Sequence, residues 1–238
     1  KKIVPQNIFR DLEPYGHLAE AMFYQTIGGF PARKLKVIGV TGTDGKTTTA
    51  TLITQMLRNS GVNVAMITTI SVDYGDGKGE QPNPTRMTTM GAGPLVKLLR
   101  RVADNEVEWL VLETTSHALA QHRVWGVPYS IAVFTNLGHE HLDNHRTFER
   151  YREAKKMLFR QTDRNKKGLQ VGIANIDDPS GEAFAQAISH PVRYGINGGD
   201  LRAIDITRTP AGSSFTTTID NDHYQITCHL PGSFNVYN

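Results

Sequence analysis

Cysteine is almost missing from this chain: its 238 residues contain one, Cys228. That excludes an internal disulfide and any four-cysteine zinc site, and it fits a reducing compartment. No apolar run approaches the ~20 residues that span a bilayer. The N-terminus also lacks the apolar core and small-residue cleavage site of a signal peptide. On these grounds the chain reads as cytoplasmic, with no membrane insertion. A strong excess of one charge is missing too. The net charge is +3, and Lys and Arg are scattered rather than clustered, so nucleic acid is not an expected partner. No internal repeat or low-complexity tract occurs. What is present is ordinary globular composition, 39% hydrophobic and 21% charged, which suffices for one large α/β domain or two small ones.

Residues 1–33 form a preface with Pro5, Pro14 and Pro31 and an expected helix around 18–25, whose apolar members suit packing on a domain better than membrane contact. From residue 34 the pattern alternates. Strands are expected at 36–41, 63–69, 109–114, 131–136 and 169–175, and helices near 47–59, 93–103, 147–161 and 180–188. Several of these strands are continuously apolar, as strands buried in a parallel sheet are. After Pro191 short alternating strands follow at 201–208, 214–220 and 224–230, which suggests an antiparallel end to the sheet. The expected fold is therefore α/β, a P-loop-type mostly parallel sheet flanked by helices with a smaller antiparallel portion near the C-terminus.

The stretch Thr-Gly-Thr-Asp-Gly-Lys-Thr-Thr-Thr at 41–49 lies between the first strand and an amphipathic helix. Strand, glycine-rich loop and helix in that order make a phosphate site: glycines let the backbone curl its N–H groups inward, and the helix presents its positive end. The spacing departs from G-x-x-x-x-G-K-[ST], since Val40 stands five before Gly45. The compact form G-x-x-G-K-T applies, with Gly42, Thr43, Asp44, Gly45 and Thr48 as loop contacts to phosphate. Lys46 supplies a cation for the terminal phosphates and Thr47 a hydroxyl for Mg²⁺. The competing reading is a turn that binds nothing.

In open parallel sheets ligands lie beyond the carboxyl ends of the strands. Glu113 ends one apolar strand, and facing a P-loop it suits Mg²⁺, directly or through water; alternatively it caps a neighbouring helix. After the 131–136 strand comes Gly-His-Glu-His-Leu-Asp-Asn-His at 138–145. Its His139, His141, Asp143 and His145 miss the H-x-H-x-D-H pattern of metallo-β-lactamase-type hydrolases by one residue, and that rival leaves the P-loop unexplained. In the helix from Thr147, residues Phe148, Tyr151, Leu158 and Thr162 share one stripe with Lys155 in its middle. A lysine there either snorkels to water or serves an anionic site.

Taken together, Gly42-Thr-Asp-Gly-Lys-Thr-Thr48, Glu113-Thr-Thr-Ser-His117, Gln121-His-Arg123, Phe134-Thr-Asn-Leu137, His141-Leu-Asp143, Ala154-Lys155 and Leu230-Pro-Gly-Ser-Phe-Asn235 resemble the central ATPase domain of the Mur ligases, most closely the tripeptide-forming branch. The resemblance runs from about residue 36 to the last residue, with residues 34–238 as the central ATP-binding domain. It implies an ATP-dependent amide ligase of peptidoglycan precursor synthesis. A muramoyl-peptide carboxylate is activated as an acyl phosphate and then attacked by an amino acid. By the family pattern Lys46 contacts the β- and γ-phosphates, Asn235 meets the adenine, and Thr47 with Glu113 holds one Mg²⁺. His141 and Lys155, the lysine carbamylated, serve a second. Thr88, Thr89, Thr115, Gln121 and Arg123 match positions that grip the anionic muramoyl peptide. The resemblance also implies a C-terminal amino-acid-binding domain, of the same polypeptide, that these residues do not include. Asp44 stands where the family usually has Asn, Met90 where proline is usual, Thr114-Thr115 in place of Val-Ser, and Gly138-His139-Glu140 in place of Ser-Arg-Asp. Two other readings share the P-loop: a folylpolyglutamate-synthetase-like ligase and a non-catalytic ATP-binding module.

Overall fold

The structure, a computed structural model, describes residues 6–85, 90–138 and 147–238, and for 6–11 the backbone alone. In chain order the described residues form α1 (Gln6–Ile27), β1 (Lys36–Thr41), α2 (Lys46–Asn59), β2 (Val64–Ile67), β3 (Ser71–Asp73), β4 (Gln81–Pro82), α3 (Ala92–Asp104), β5 (Trp109–Glu113), α4 (Ser116–Ala120), β6 (Tyr129–Phe134), α5 (Phe148–Arg164), β7 (Val171–Asn175), α6 (Gly181–Ala185), β8 (His190–Gly195), β9 (Leu201–Arg202), β10 (Ile204–Thr209), β11 (Gly212–Ile219) and β12 (Asp222–Cys228). Nine strands make one sheet in the order β4-β3-β2-β5-β1-β6-β7-β8-β9. All neighbours pair parallel except β2-β3 and β3-β4.

The strand side chains alternate between two apolar layers, as a period of two requires. Ile38, Val40, Val64, Met66, Val111 and Val133 pack with Ala50, Ile53 and Leu57 of α2 on one face. Val37, Ala65, Ile67, Leu110, Leu112, Ala132 and Phe134 join α3, α5 and α6 on the other. Both faces are covered, which is why the central strands read as continuous apolar runs. On the second face Phe184 is fully buried, stacked on Phe134 with centroids 3.8 Å apart and edge-on to Phe159. Phe184→Ala is expected to cost about 3–5 kcal/mol, from lost transfer energy plus the cavity left behind, measured as a shift of the urea unfolding midpoint at constant m-value.

Several expectations shift in detail. The preface helix α1 begins at Gln6 and runs through Pro14, so proline there does not break it; the helix forgoes the one bond that Pro14 has no N–H to donate. The 63–69 strand ends at Ile67. Threonine is a good strand former, but Thr68 N–H bonds the Ser71 carbonyl at 2.9 Å, a turn that sends the chain back as β3. The three C-terminal strands β10-β11-β12 form a separate antiparallel sheet rather than an end of the main one. The main sheet continues instead through the parallel strand β8, which follows α6 and contains Pro191.

Candidate functional site

The loop between β1 and α2 is gripped by the end of β6. Thr43 N–H donates to the Asn136 carbonyl at 2.8 Å, Asp44 N–H to Asn136 Oδ1 at 2.9 Å, and Thr135 Oγ1 to the Asp44 carbonyl at 2.7 Å. Glycine is needed where this grip is closest. A Cβ on Gly42, at φ 155°, would stand 1.9 Å from Thr135 Oγ1, and one on Gly45, at φ 77°, would stand 2.1 Å from Asn238 Oδ1.

Thr43 is fixed through its side chain as well. Its Oγ1 accepts from Gly138 N–H at 2.8 Å and meets Tyr151 OH at 3.2 Å. The first intrahelical bond of α2 runs from Thr49 N–H to the Gly45 carbonyl at 2.8 Å, so the N–H groups of residues 46–48 precede it and face the loop's mouth with the positive end of the helix.

Two lysines converge on this loop. Lys46 Nζ donates to the Thr43 carbonyl at 2.7 Å. Lys155 lies on the inward stripe of α5 as its spacing implied, only 2% exposed, with its ammonium on the Gly42 carbonyl and 4.6 Å from the Tyr151 ring centroid. It does not snorkel. Thr47 Oγ1 donates to Glu113 Oε2 at 2.9 Å, and Glu113 is itself buried at the carboxyl end of β5. A hydroxyl and a carboxylate side by side next to a phosphate-type loop are hard oxygen donors of the kind Mg²⁺ takes, with phosphates and water completing its shell. The residues present therefore fit that ion. Among the described residues no group of three or more His, Cys, Asp or Glu could hold a metal by itself.

Beside Gly45 opens a cleft of about 670 Å³, lined by Asp44, Asn136, Asn175, Asp177, Tyr237 and Asn238 among others. Asn235 is buried behind it, its Oδ1 accepting from Asn238 Nδ2 at 2.8 Å. Tyr237 OH donates to Asp177 Oδ2 at 3.2 Å. Burial, and then the Asp177 carboxylate beside it, hold the Tyr237 phenol above its ordinary range. Of the residues matched to the muramoyl peptide, Thr115 caps the start of α4 by accepting from Ala118 N–H at 3.2 Å. Gln121, at the other end of that helix, turns toward α1 and bonds Glu13 at 3.4 Å; Arg123 N–H bonds the Ala118 carbonyl. Thr88, Thr89 and His141, with His139, Asp143 and His145, lie outside the described residues.

Residues 40–238 match the family described as the Mur ligase middle domain. The chain belongs to the Mur ligase family. Among curated Mur ligases it is 38% identical over 224 residues to the UDP-N-acetylmuramoyl-L-alanyl-D-glutamate–2,6-diaminopimelate ligase of Bacillus licheniformis, covering 92% of this chain and 45% of the relative. It is 35% identical over 240 residues to the ligase of the same name from Bacillus cereus, covering 99% and 46%. The chain thus spans about half the length of the curated relatives it matches. A solved structure of a ligase of that name superposes with a TM-score of 0.77 at 29% identity, over 95% of this chain and 45% of the other. A folylpolyglutamate synthase of Mycobacterium tuberculosis shares the fold at 14% identity and a TM-score of 0.67, over 97% and 58%.

Sequence reasoning passed over three residues at this candidate site. Asn238 stands three after Asn235, a helical spacing that could have paired them. Asp178 accepts from Leu137 N–H at 2.7 Å and carried no local signal. Thr69 bonds Glu113 through both its N–H and its hydroxyl; it follows a strand at the same sheet edge, the rule that singled out Glu113.

Proposed function

We propose that residues 34–238 are the central ATP-binding domain of an ATP-dependent amide ligase that extends a peptidoglycan precursor, with residues 1–33 as a helical preface. The observation that supports it most is the convergence of buried Lys155 and Glu113 with half-buried Thr47 on a P-loop in a chain of this family. In this reading an oxygen of the precursor's carboxylate attacks the γ-phosphorus of ATP, ADP leaves, and an acyl phosphate forms. An amino-acid amine then attacks the acyl carbon, and the tetrahedral intermediate collapses with loss of inorganic phosphate. The protein's part is positioning and charge neutralisation. Lys46 and the α2 N–H groups hold the terminal phosphates, and Gly42, Thr43, Asp44, Gly45 and Thr48 shape the loop around them. The cleft bounded by Asn238 and Tyr237, with Asn235 behind it, takes the base.

Mg²⁺, held by Thr47 and Glu113 with His141 and carbamylated Lys155 at a second position, supplies charge neutralisation on the phosphates. Carbamylation replaces a buried ammonium with an anion, which turns the inward lysine from an electrostatic cost into a ligand. Thr88, Thr89, Thr115, Gln121 and Arg123 grip the anionic precursor. On the relatives' lengths we assign capture of the amino acid to a further domain of the same polypeptide. Use of ATP, together with a single thiol, fits the cytoplasm.

The test is phosphate release from Mg-ATP by the polypeptide carrying this chain. We expect release to need both UDP-N-acetylmuramoyl-L-alanyl-D-glutamate and an amino acid, with 2,6-diaminopimelate the first to try, and to stop with EDTA. Release indifferent to every muramoyl peptide would sink the ligase reading and favour an ATP-binding module.

A further inference from the structure

The carboxylate of Glu113 is held by more than Thr47. Thr69 N–H donates to its Oε2 at 3.0 Å and Thr69 Oγ1 to its Oε1 at 2.9 Å. With Thr47 Oγ1 on Oε2, three of the roughly four lone-pair directions of the carboxylate are taken. Both oxygens are therefore fixed, and the plane of the carboxylate cannot turn without breaking a bond to Thr69.

Thr69 can do this because its turn is rigid. Thr68 closes it twice, with N–H and Oγ1 both on the Ser71 carbonyl at 2.9 and 3.0 Å. Asn83, 2% exposed, locks it from outside: its Nδ2 donates to the Thr68 carbonyl and its N–H to the Ile70 carbonyl, each at 2.8 Å. The parallel pairing of β2 with β5, Ile67 opposite Leu112, then carries Thr69 to the end of β5 where Glu113 stands.

We propose that Thr69 is a positioning residue for the metal-binding carboxylate, acting on the divalent cation through Glu113. The proposal rests on the Mg-ATP reading of the site. Its physical basis is that partners of a metal ligand set the ligand's orientation, and their loss typically weakens metal binding ~10- to 100-fold.

Mn²⁺ is the probe, titrated by electron paramagnetic resonance against the chain in the presence of ATP. Thr69→Val keeps the N–H bond and the β-branched shape but loses the hydroxyl; it should weaken Mn²⁺ binding roughly tenfold. Thr69→Ser should restore affinity to within about twofold. The thermal midpoint in EDTA should fall by roughly 3–12 °C in Thr69→Val, which loses one hydrogen bond to a buried carboxylate; affinity should rank Thr69→Ser above Thr69→Val, whereas a role in the shape of the turn alone would rank them the other way. Equal Mn²⁺ affinity in Thr69→Val and wild type, while Glu113→Gln loses it, overturns the role of Thr69 and leaves the site reading standing. Thr69→Ser that binds Mn²⁺ as weakly as Thr69→Val also overturns it. Wild type that takes up no Mn²⁺, or Glu113→Gln that binds it undiminished, removes the site reading and this proposal together.

Discussion

Lys46→Ala is expected to weaken ATP binding roughly 10- to 100-fold, the equivalent of about 1.5–3 kcal/mol for a hydrogen bond to a charged group. The side chain's partner in the structure is the Thr43 carbonyl at 2.7 Å, so it already lies along the loop whose mouth would take the phosphates. Its removal should leave the fold intact. Lys46 opens α2, where alanine is a strong helix former, and the bonds that hold the loop run instead through Asn136 and Thr135. Calorimetric titration with Mg-ATP, alongside a thermal melt, separates the two effects. An unchanged dissociation constant in a folded variant would take Lys46 out of phosphate binding.

Gly42→Ala should act on stability instead, at about 3 kcal/mol or more. The new methyl would stand 1.9 Å from Thr135 Oγ1 and 3.2 Å from both the N and O of Asn136. Two of those three contacts are backbone, so yielding means moving the end of β6. Overpacking of this kind costs ~1–3 kcal/mol, the strained backbone about 1 more, and the lost bond from Thr135 to the Asp44 carbonyl about another. The melting midpoint should fall by roughly 6–20 °C. Gly45→Ala is the informative contrast. There the obstacle is the far end of the Asn238 side chain, which can swing aside, so the cost should approach the backbone term alone. Equal midpoints for Gly42→Ala and wild type would mean that Thr135 does not clamp the loop.

Much of the site was legible because its signals are local. The strand–loop–helix order around Gly42 and Gly45, the inward stripe of α5 and the carboxylate ending β5 are each written within a few residues, and the structure places Lys155 and Glu113 buried where those patterns put them. What was misjudged was also local in scale but decided from afar. Thr68 and Thr69 suit a strand as residues, yet Asn83 and Glu113 hold them in a turn. Pro14 suits a break, yet α1 continues through it, with Ala21 and Gln25 buried against the domain.

The sequence by itself determined the α/β class, the compact P-loop and the family, since these depend on side-chain period and on motif order along the chain. Only the tertiary structure decided which strand ends become neighbours. Placing β5 between β2 and β1 brings Thr69 to Glu113 across 44 residues, and placing β6 beside β1 brings Asn136 to Asp44 across 92. Periodicity shows which face of a strand is buried but not which strand lies next to it. Strand order follows from how the helices cover both faces of the sheet at once, and that is a property of the packed whole.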